Sequence, residues 1–228
     1  MGNPVLELRK LSDVPLPAII PAELGEPARQ RALHFANPAA RDGFVAGRIA
    51  LQQFAASLLD VDSIRLTPDY RCPQCGPGQD HGRPGFMLDG GPAPLALSAS
   101  RASGWVLLAG VVHPPQGFLL GVDLEVVGAT DFAGFNDVAL TEQEKEFLGA
   151  IPGAQQSRQR ASLWARKEAW LKMTGEGLRR NPTDVDVLER DGLSDLDLSA
   201  HDEMDLVGAI ATGWTGALQA ADPRTTTG

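Results

Sequence analysis

Asp123 and Glu125 stand two residues apart in GFLLGVDLEVVGA (117–129), an otherwise apolar run bounded by glycines. Its Val and Leu content predicts a buried β-strand. Strand side chains alternate faces, so the two carboxylates point one way and Leu124 and Val126 the other. Two anions side by side on a half-buried strand repel, and desolvation adds to the cost. Three arrangements relieve this: both reach solvent, one pairs with Arg or Lys, or both hold a divalent cation. Gly121, just before them, permits close approach by a backbone or a ligand.

A third carboxylate and two lysines occur in WARKEAWLK (164–172). Glu168 precedes Lys172 by four residues, so the two share a face of the helix predicted over 157–177. Taken alone, they read as a surface ion pair. Trp164 lies on that face too, and Leu163, Trp170 and Leu171 bury much of the helix around it. The charges therefore border an apolar face. Three carboxylates with Lys167 and Lys172 suit a site for Mg²⁺ and phosphate. Mg²⁺ takes a few carboxylates, several waters and phosphate oxygens, and lysines serve phosphate as point charges.

Other elements must hold these residues in place. PAARDGFVAGRIALQQFAASLL (38–59) predicts an amphipathic helix with Phe44, Ile49, Leu51, Phe54, Leu58 and Leu59 on its apolar stripe. PLALSAS (94–100) and GWVLLAGVV (104–112) predict two strands joined by a short turn. Thr141 and Glu144 have capping-box spacing and start a short helix. Gly175 and Gly177 end the long one. TDVDVLE (183–189) and LVGAIAT (206–212) predict strands. Residues 1–30 and 67–86 read as extended chain, loop and turns. DPRTTTG (222–228) reads as a disordered end. Strands and helices mix without strict βαβ alternation, which predicts an α+β fold.

The 228 residues suffice for one large domain or two small ones. A net charge of −9 argues against generic nucleic-acid binding. No run of about 18 apolar residues predicts a transmembrane helix. The first residues lack a secretory pattern, and Leu6 does not complete a myristoylation motif after Gly2. A cytoplasmic, non-membrane protein is expected. There are sixteen arginines but four lysines, so Lys167 and Lys172 stand out. Cys72 and Cys75 form CPQC. His81 could join them as a third zinc ligand, but no fourth is evident, and the pair reads as reduced loop cysteines.

GVDLE (121–125) followed by WARKEAWLK (164–172) resembles the 4′-phosphopantetheinyl transferases of the surfactin-synthetase-activating type. ARDGFVAGRIAL (40–51) is similar to that family's N-terminal Arg-containing helix. HGRPGF (81–86) is similar to its Gly-Lys/Arg-Pro element, and LSASRASGWVLLAGV (97–111) to its Ser-His segment and the strand after it. The resemblance covers roughly residues 38 to 190.

The resemblance implies a pseudo-dimer of two similar α+β halves, residues 1–112 and 113–228, with the active site between them. It implies transfer of the phosphopantetheine arm of coenzyme A to a serine of an acyl or peptidyl carrier protein, releasing 3′,5′-ADP. Asp123, Glu125 and Glu168 would hold Mg²⁺. Glu168, or a metal-bound water, is the candidate base, and Lys172 the group that stabilises the leaving phosphate. Arg41, Arg48, Arg83, Ser98, Arg101, Lys167 and Lys172 would bind coenzyme A. Where the family has Ser-His, this chain has Ser98-Ala99-Ser100-Arg101, and Arg101 is the expected substitute because a permanent cation suits phosphate. Carriers would dock on residues 132–148, with Phe132, Phe135 and Val138 as candidate anchors. The pseudo-symmetry implies a monomer. The alternatives are another magnesium enzyme, such as a phosphatase or nuclease, and a diverged homologue that binds coenzyme A or a carrier without transfer. A CxxC zinc module for nucleic acid fails on charge and ligand count.

Overall fold

Two helices of 22 residues, each packed on a three-stranded antiparallel sheet, organise the chain. The computed structural model describes residues 2–72, 75–79, 81–198 and 205–216. The expected disordered end at 222–228 lies outside the described residues. Helix and sheet are mixed, consistent with the α+β expectation. The chain divides into two units, Met1–Pro115 and Gln116–Gly228. No described helix is long and apolar enough to cross a membrane.

The first unit contains β1 (Val5–Lys10), α1 (Glu26–Leu33), α2 (Pro38–Leu59), β2 (Leu66–Pro68), β3 (Tyr70–Cys72), β4 (Gly76–Gln79), β5 (Phe86–Leu88), β6 (Gly91–Pro92), β7 (Leu95–Ala102) and β8 (Trp105–Val112). The main sheet has the order β1-β8-β7. Asn37 caps α2 by accepting from the Ala39 and Ala40 amides, at 2.9 and 3.4 Å. Ala46, Ala50, Leu51 and Phe54 of α2 pack with Leu97, Val106 and Leu108 of the sheet. The β7–β8 turn is Ser103-Gly104, with φ of +47° and +79°, the left-handed pair that a two-residue hairpin turn needs.

Within 1–30, read as extended chain and loop, part of the extended chain is a strand and only α1 departs from the expectation. Residues 5–10 pair with β8 along all six positions. Residues 26–33 form α1, with Pro27 in the first turn, where no amide is required. Ala28 and Ala32 of α1 then bury against Phe44 and Val45 of α2.

The second unit contains β9 (Phe118–Val126), α3 (Phe135–Ala139), α4 (Glu142–Gly149), α5 (Gly153–Thr174), β10 (Leu193–Asp195) and β11 (Leu206–Trp214). The sheet order is β10-β11-β9, and β11 pairs with all nine residues of β9. Gly121, Asp123 and Glu125 stand opposite Ala211, Ala209 and Val207, and share their face. That face is covered by α5, whose Ala161, Ala165 and Ala169 are fully buried at every fourth position. The approach is closest at Gly121. A Cβ there would lie 2.1 Å from the Ala169 carbonyl oxygen and 2.6 Å from the Met173 nitrogen.

The predicted strand over 183–189 is not formed. Val185 and Val187 are buried, which gave the alternating pattern, but their backbone groups bond to side chains instead of a sheet. Lys167 Nζ donates to the Pro182 and Val185 carbonyls at 2.8 and 2.5 Å. The Val187 amide donates to Glu144 Oε1 at 2.9 Å.

Replacing Gly121 by Ala forces backbone against backbone, not a flexible side chain. The expected loss is about 1–3 kcal/mol or more, read as a lower midpoint in chemical denaturation.

Candidate active site

The pairing of β9 with α5 brings four of the expected residues into one electrostatic group. Asp123 is 2% exposed, and its Oδ1 accepts from Lys172 Nζ at 2.5 Å. Glu125, one step along the same strand face, is half-buried. Its pKa is pushed up to about 7, first by burial and then by the Asp123 charge. Glu168 adds to that push, while Lys172 and a hydrogen bond from the Trp164 side chain oppose it. Glu168 on α5 is half-buried, and its pKa is raised by burial and by Asp123 against the pull of Lys172.

Glu168 Oε1 is shielded from solvent and has no hydrogen-bond partner. A buried carboxylate oxygen in that state carries an unmet desolvation cost. One lysine faces three carboxylates here, so the group holds excess negative charge that a divalent cation would offset. The donors are all hard oxygens, which suits Mg²⁺ or Mn²⁺. The donor types suit a divalent cation, but the three carboxylates do not bring their oxygens within 4.8 Å of one another, so their side chains would have to draw together to hold one.

Lys167 is placed otherwise than the resemblance implied. It is fully buried, and its Nζ lies 2.7 Å from Glu144 Oε2. Glu144 also completes the capping box of α4, with its Oε2 accepting from the Thr141 amide at 2.8 Å. Burial lowers the Lys167 pKa, and Glu144 works to keep the charge. Lys167 thus ties α5 to the segment 182–187 and offers no donor to a nucleotide. Consecutive residues 167 and 168 point about 100° apart on a helix, so only Glu168 faces β9.

The first unit gathers cations around two aromatic rings. The guanidinium carbon of Arg48 lies 3.9 Å from the Tyr70 ring centre and 5.1 Å from that of Phe44. Arg31 and Arg101 lie 5.3 and 5.6 Å from the Phe44 centre. Arg101 crosses α2 where Gly47 has no side chain and donates to the Gly43 carbonyl at 2.9 Å. Burial, then the Arg48 and Arg31 charges, lowers its pKa. Three guanidiniums at one place suit an anion with several phosphates. Ala99 packs against the core instead, and Ser98 is buried within β7.

Arg41 is exposed and pairs with its neighbour Asp42 at 2.9 Å. Arg83 is half-buried, pairs through its backbone with Arg71, and has its pKa lowered by burial. Neither is among the arginines stacked on Phe44. Arg31 was missed because it sits on α1, and the sequence reading assigns no element between residue 30 and the helix at 38. Glu144 reads as a helix cap, and nothing in its spacing announces its second bond to Lys167.

Residues 119–202 match the 4′-phosphopantetheinyl transferase superfamily. Over 160 residues the chain is 28% identical to the 4′-phosphopantetheinyl transferase HetI of Nostoc sp. strain PCC 7120. That alignment takes in 70% of this chain and 62% of the Nostoc protein, so the chain spans about 62% of the curated relative that it matches.

Replacing Lys167 by Met leaves Glu144 buried without its cation. The expected destabilisation is about 3–5 kcal/mol in urea denaturation. Loss of affinity for coenzyme A at unchanged stability would contradict this placement.

Proposed function

We propose that this chain is a 4′-phosphopantetheinyl transferase that moves the phosphopantetheine arm of coenzyme A to a serine of an acyl or peptidyl carrier protein. The observation that carries this reading is the cluster of Asp123, Glu125, Glu168 and Lys172, which lies within the segment matching the superfamily. Both nucleic acid and membrane are poor partners for a chain of charge −9 without a spanning helix among its described residues.

In this proposal Asp123, Glu125 and Glu168 hold Mg²⁺. When bound, the ion neutralises charge on the diphosphate of coenzyme A. Glu168 accepts the proton of the carrier serine hydroxyl. The serine oxygen bonds to the β-phosphorus. The bond from that phosphorus to the bridging oxygen breaks, and the oxygen leaves with 3′,5′-ADP. Lys172 offers its charge to the leaving phosphate, and its bond to Asp123 orients it.

Arg48, Arg101 and Arg31 bind phosphates of coenzyme A, with Arg41, Arg83 and Ser98 as further contacts carried by the motif positions alone. Arg101 takes the place of the family histidine. Residues 1–112 and 113–228 are the halves of a pseudo-dimer that acts as a monomer, and the units Met1–Pro115 and Gln116–Gly228 divide the chain near that boundary. Support for this comes from each unit having a 22-residue helix on a three-stranded antiparallel sheet. Phe132 and Val138, 59% and 63% exposed, are the apolar anchors for a carrier, whereas Phe135 is buried beside Trp164. An acidic chain does not attract an acidic carrier over long range, so local apolar contact carries recognition.

The test is intact-mass spectrometry of an apo carrier protein incubated with the chain, coenzyme A and Mg²⁺. The expected result is a gain of one phosphopantetheine, lost on chelation and slowed by about 10²–10⁴ in Glu168→Gln. Arg101→Ala is expected to raise KM for coenzyme A about 10-fold or more with kcat little changed. Binding of coenzyme A with no transfer to any of several carriers would instead favour a homologue that has lost catalysis.

A further inference from the structure

Cys72, Cys75 and His81 converge at the end of the β3–β4 ribbon, and none of them has a part in the transfer proposed above. β3 and β4 form an antiparallel pair, with Cys72 opposite Gly76, so Cys75 stands at the turn beside Cys72. After β4 the chain folds back. Arg71 and Arg83 exchange both backbone hydrogen bonds, at 3.1 and 3.0 Å. Gly82 makes this return possible: a Cβ there would lie 2.4 Å from the Arg71 carbonyl oxygen and 2.8 Å from the Cys72 Cα. Only a residue without a side chain lets His81 come this near to Cys72.

The two sulfurs and one imidazole nitrogen all lie within 4.8 Å of one another. Around tetrahedral zinc, with bonds of about 2.3 Å to sulfur and 2.0–2.1 Å to nitrogen, ligand atoms stand about 3.5–3.8 Å apart. Side-chain rotation of about 1 Å closes that difference. Cys72 is buried, while Cys75 and His81 are exposed, so two of the three ligands reach solvent.

We propose that Cys72, Cys75 and His81 bind a zinc ion that clamps the loop between them and fixes the backbone of Arg83. Two thiolates and an imidazole prefer zinc over the hard cations that suit the carboxylate cluster. Binding forms two Zn–S bonds and one Zn–N bond and releases the two thiol protons to solvent. Water completes the tetrahedron. The stretch CGPGQDHG (75–82) has no large apolar residue, so it lacks a core of its own, and a metal cross-link supplies the order that burial would otherwise give. Arg83 lies two residues beyond His81 and is hydrogen-bonded to the residue before Cys72, so the clamp acts on it directly. The inference stands whether or not the chain transfers phosphopantetheine.

The test uses the full, tag-free chain. Dialysed protein is analysed for zinc, and metal-free protein is titrated with Co²⁺ while thiolate-to-cobalt charge-transfer absorption is followed. The expected result is one zinc per chain and a band that added Zn²⁺ abolishes. The band is expected to vanish in Cys72→Ser/Cys75→Ser and to persist in Glu168→Gln. Removing zinc is expected to speed amide exchange at Arg71 and Arg83. Folded wild-type protein without the band, zinc content unchanged in the double variant, or a disulfide between the two cysteines would each overturn the site. Zinc binding without any change in exchange at Arg83 would overturn the clamp.

Discussion

The backbone of α5 rests on the backbone of β9 at Gly121, and the carboxylate cluster depends on that contact. The Ala169 carbonyl occupies the space that any side chain at 121 would need. Helix and strand thereby come close enough for Glu168 and Lys172 to meet Asp123 and Glu125. Glycine on the strand and alanine every fourth residue on the helix are thus conditions of the site as much as of the core. The result concentrates negative charge where apolar packing excludes water. Repulsion and desolvation raise the pKa of Glu125 and Glu168, and a bound cation would favour their ionised forms.

A second buried charge serves the fold. Lys167 and Glu144 neutralise one another, and their remaining bonding capacity goes to the Pro182 and Val185 carbonyls and the Thr141 and Val187 amides. A fully bonded buried pair offsets its own desolvation, and here it also replaces a strand partner for residues 182–187. Adjacent positions on α5 therefore do different work. Position 167 holds the helix against the segment after it, and position 168 presents a carboxylate to β9.

Features set by local pattern were legible in the sequence. The bounds of α2 follow from Asn37, Pro38 and the apolar stripe, and the start of α4 from Thr141 and Glu144. β9 follows from its glycine-bounded apolar run, and its period of two correctly puts Asp123 and Glu125 on one face. Features set by long-range contact were not. The strand at 5–10 exists because β8 offers it an edge, and α1 because α2 covers its alanines. Alternation at Val185 and Val187 reports burial, which a strand and a side-chain-bonded segment share. Arg31 joins the cations around Phe44 only through the packing of α1 on α2. His81 was legible as a third ligand for the cysteine pair, but the return of the chain at Gly82 that brings it within reach was not.

In the proposed function, β9 and α5 together hold one divalent cation. Anomalous diffraction from crystals of the chain grown with Mn²⁺ and coenzyme A tests it most directly. The expected result is a manganese peak bonded to carboxylate oxygens of Asp123, Glu125 and Glu168, at about the 2.0–2.2 Å of a hard octahedral ion. Coenzyme A bound without manganese at those carboxylates, or manganese held only by other residues, would contradict it.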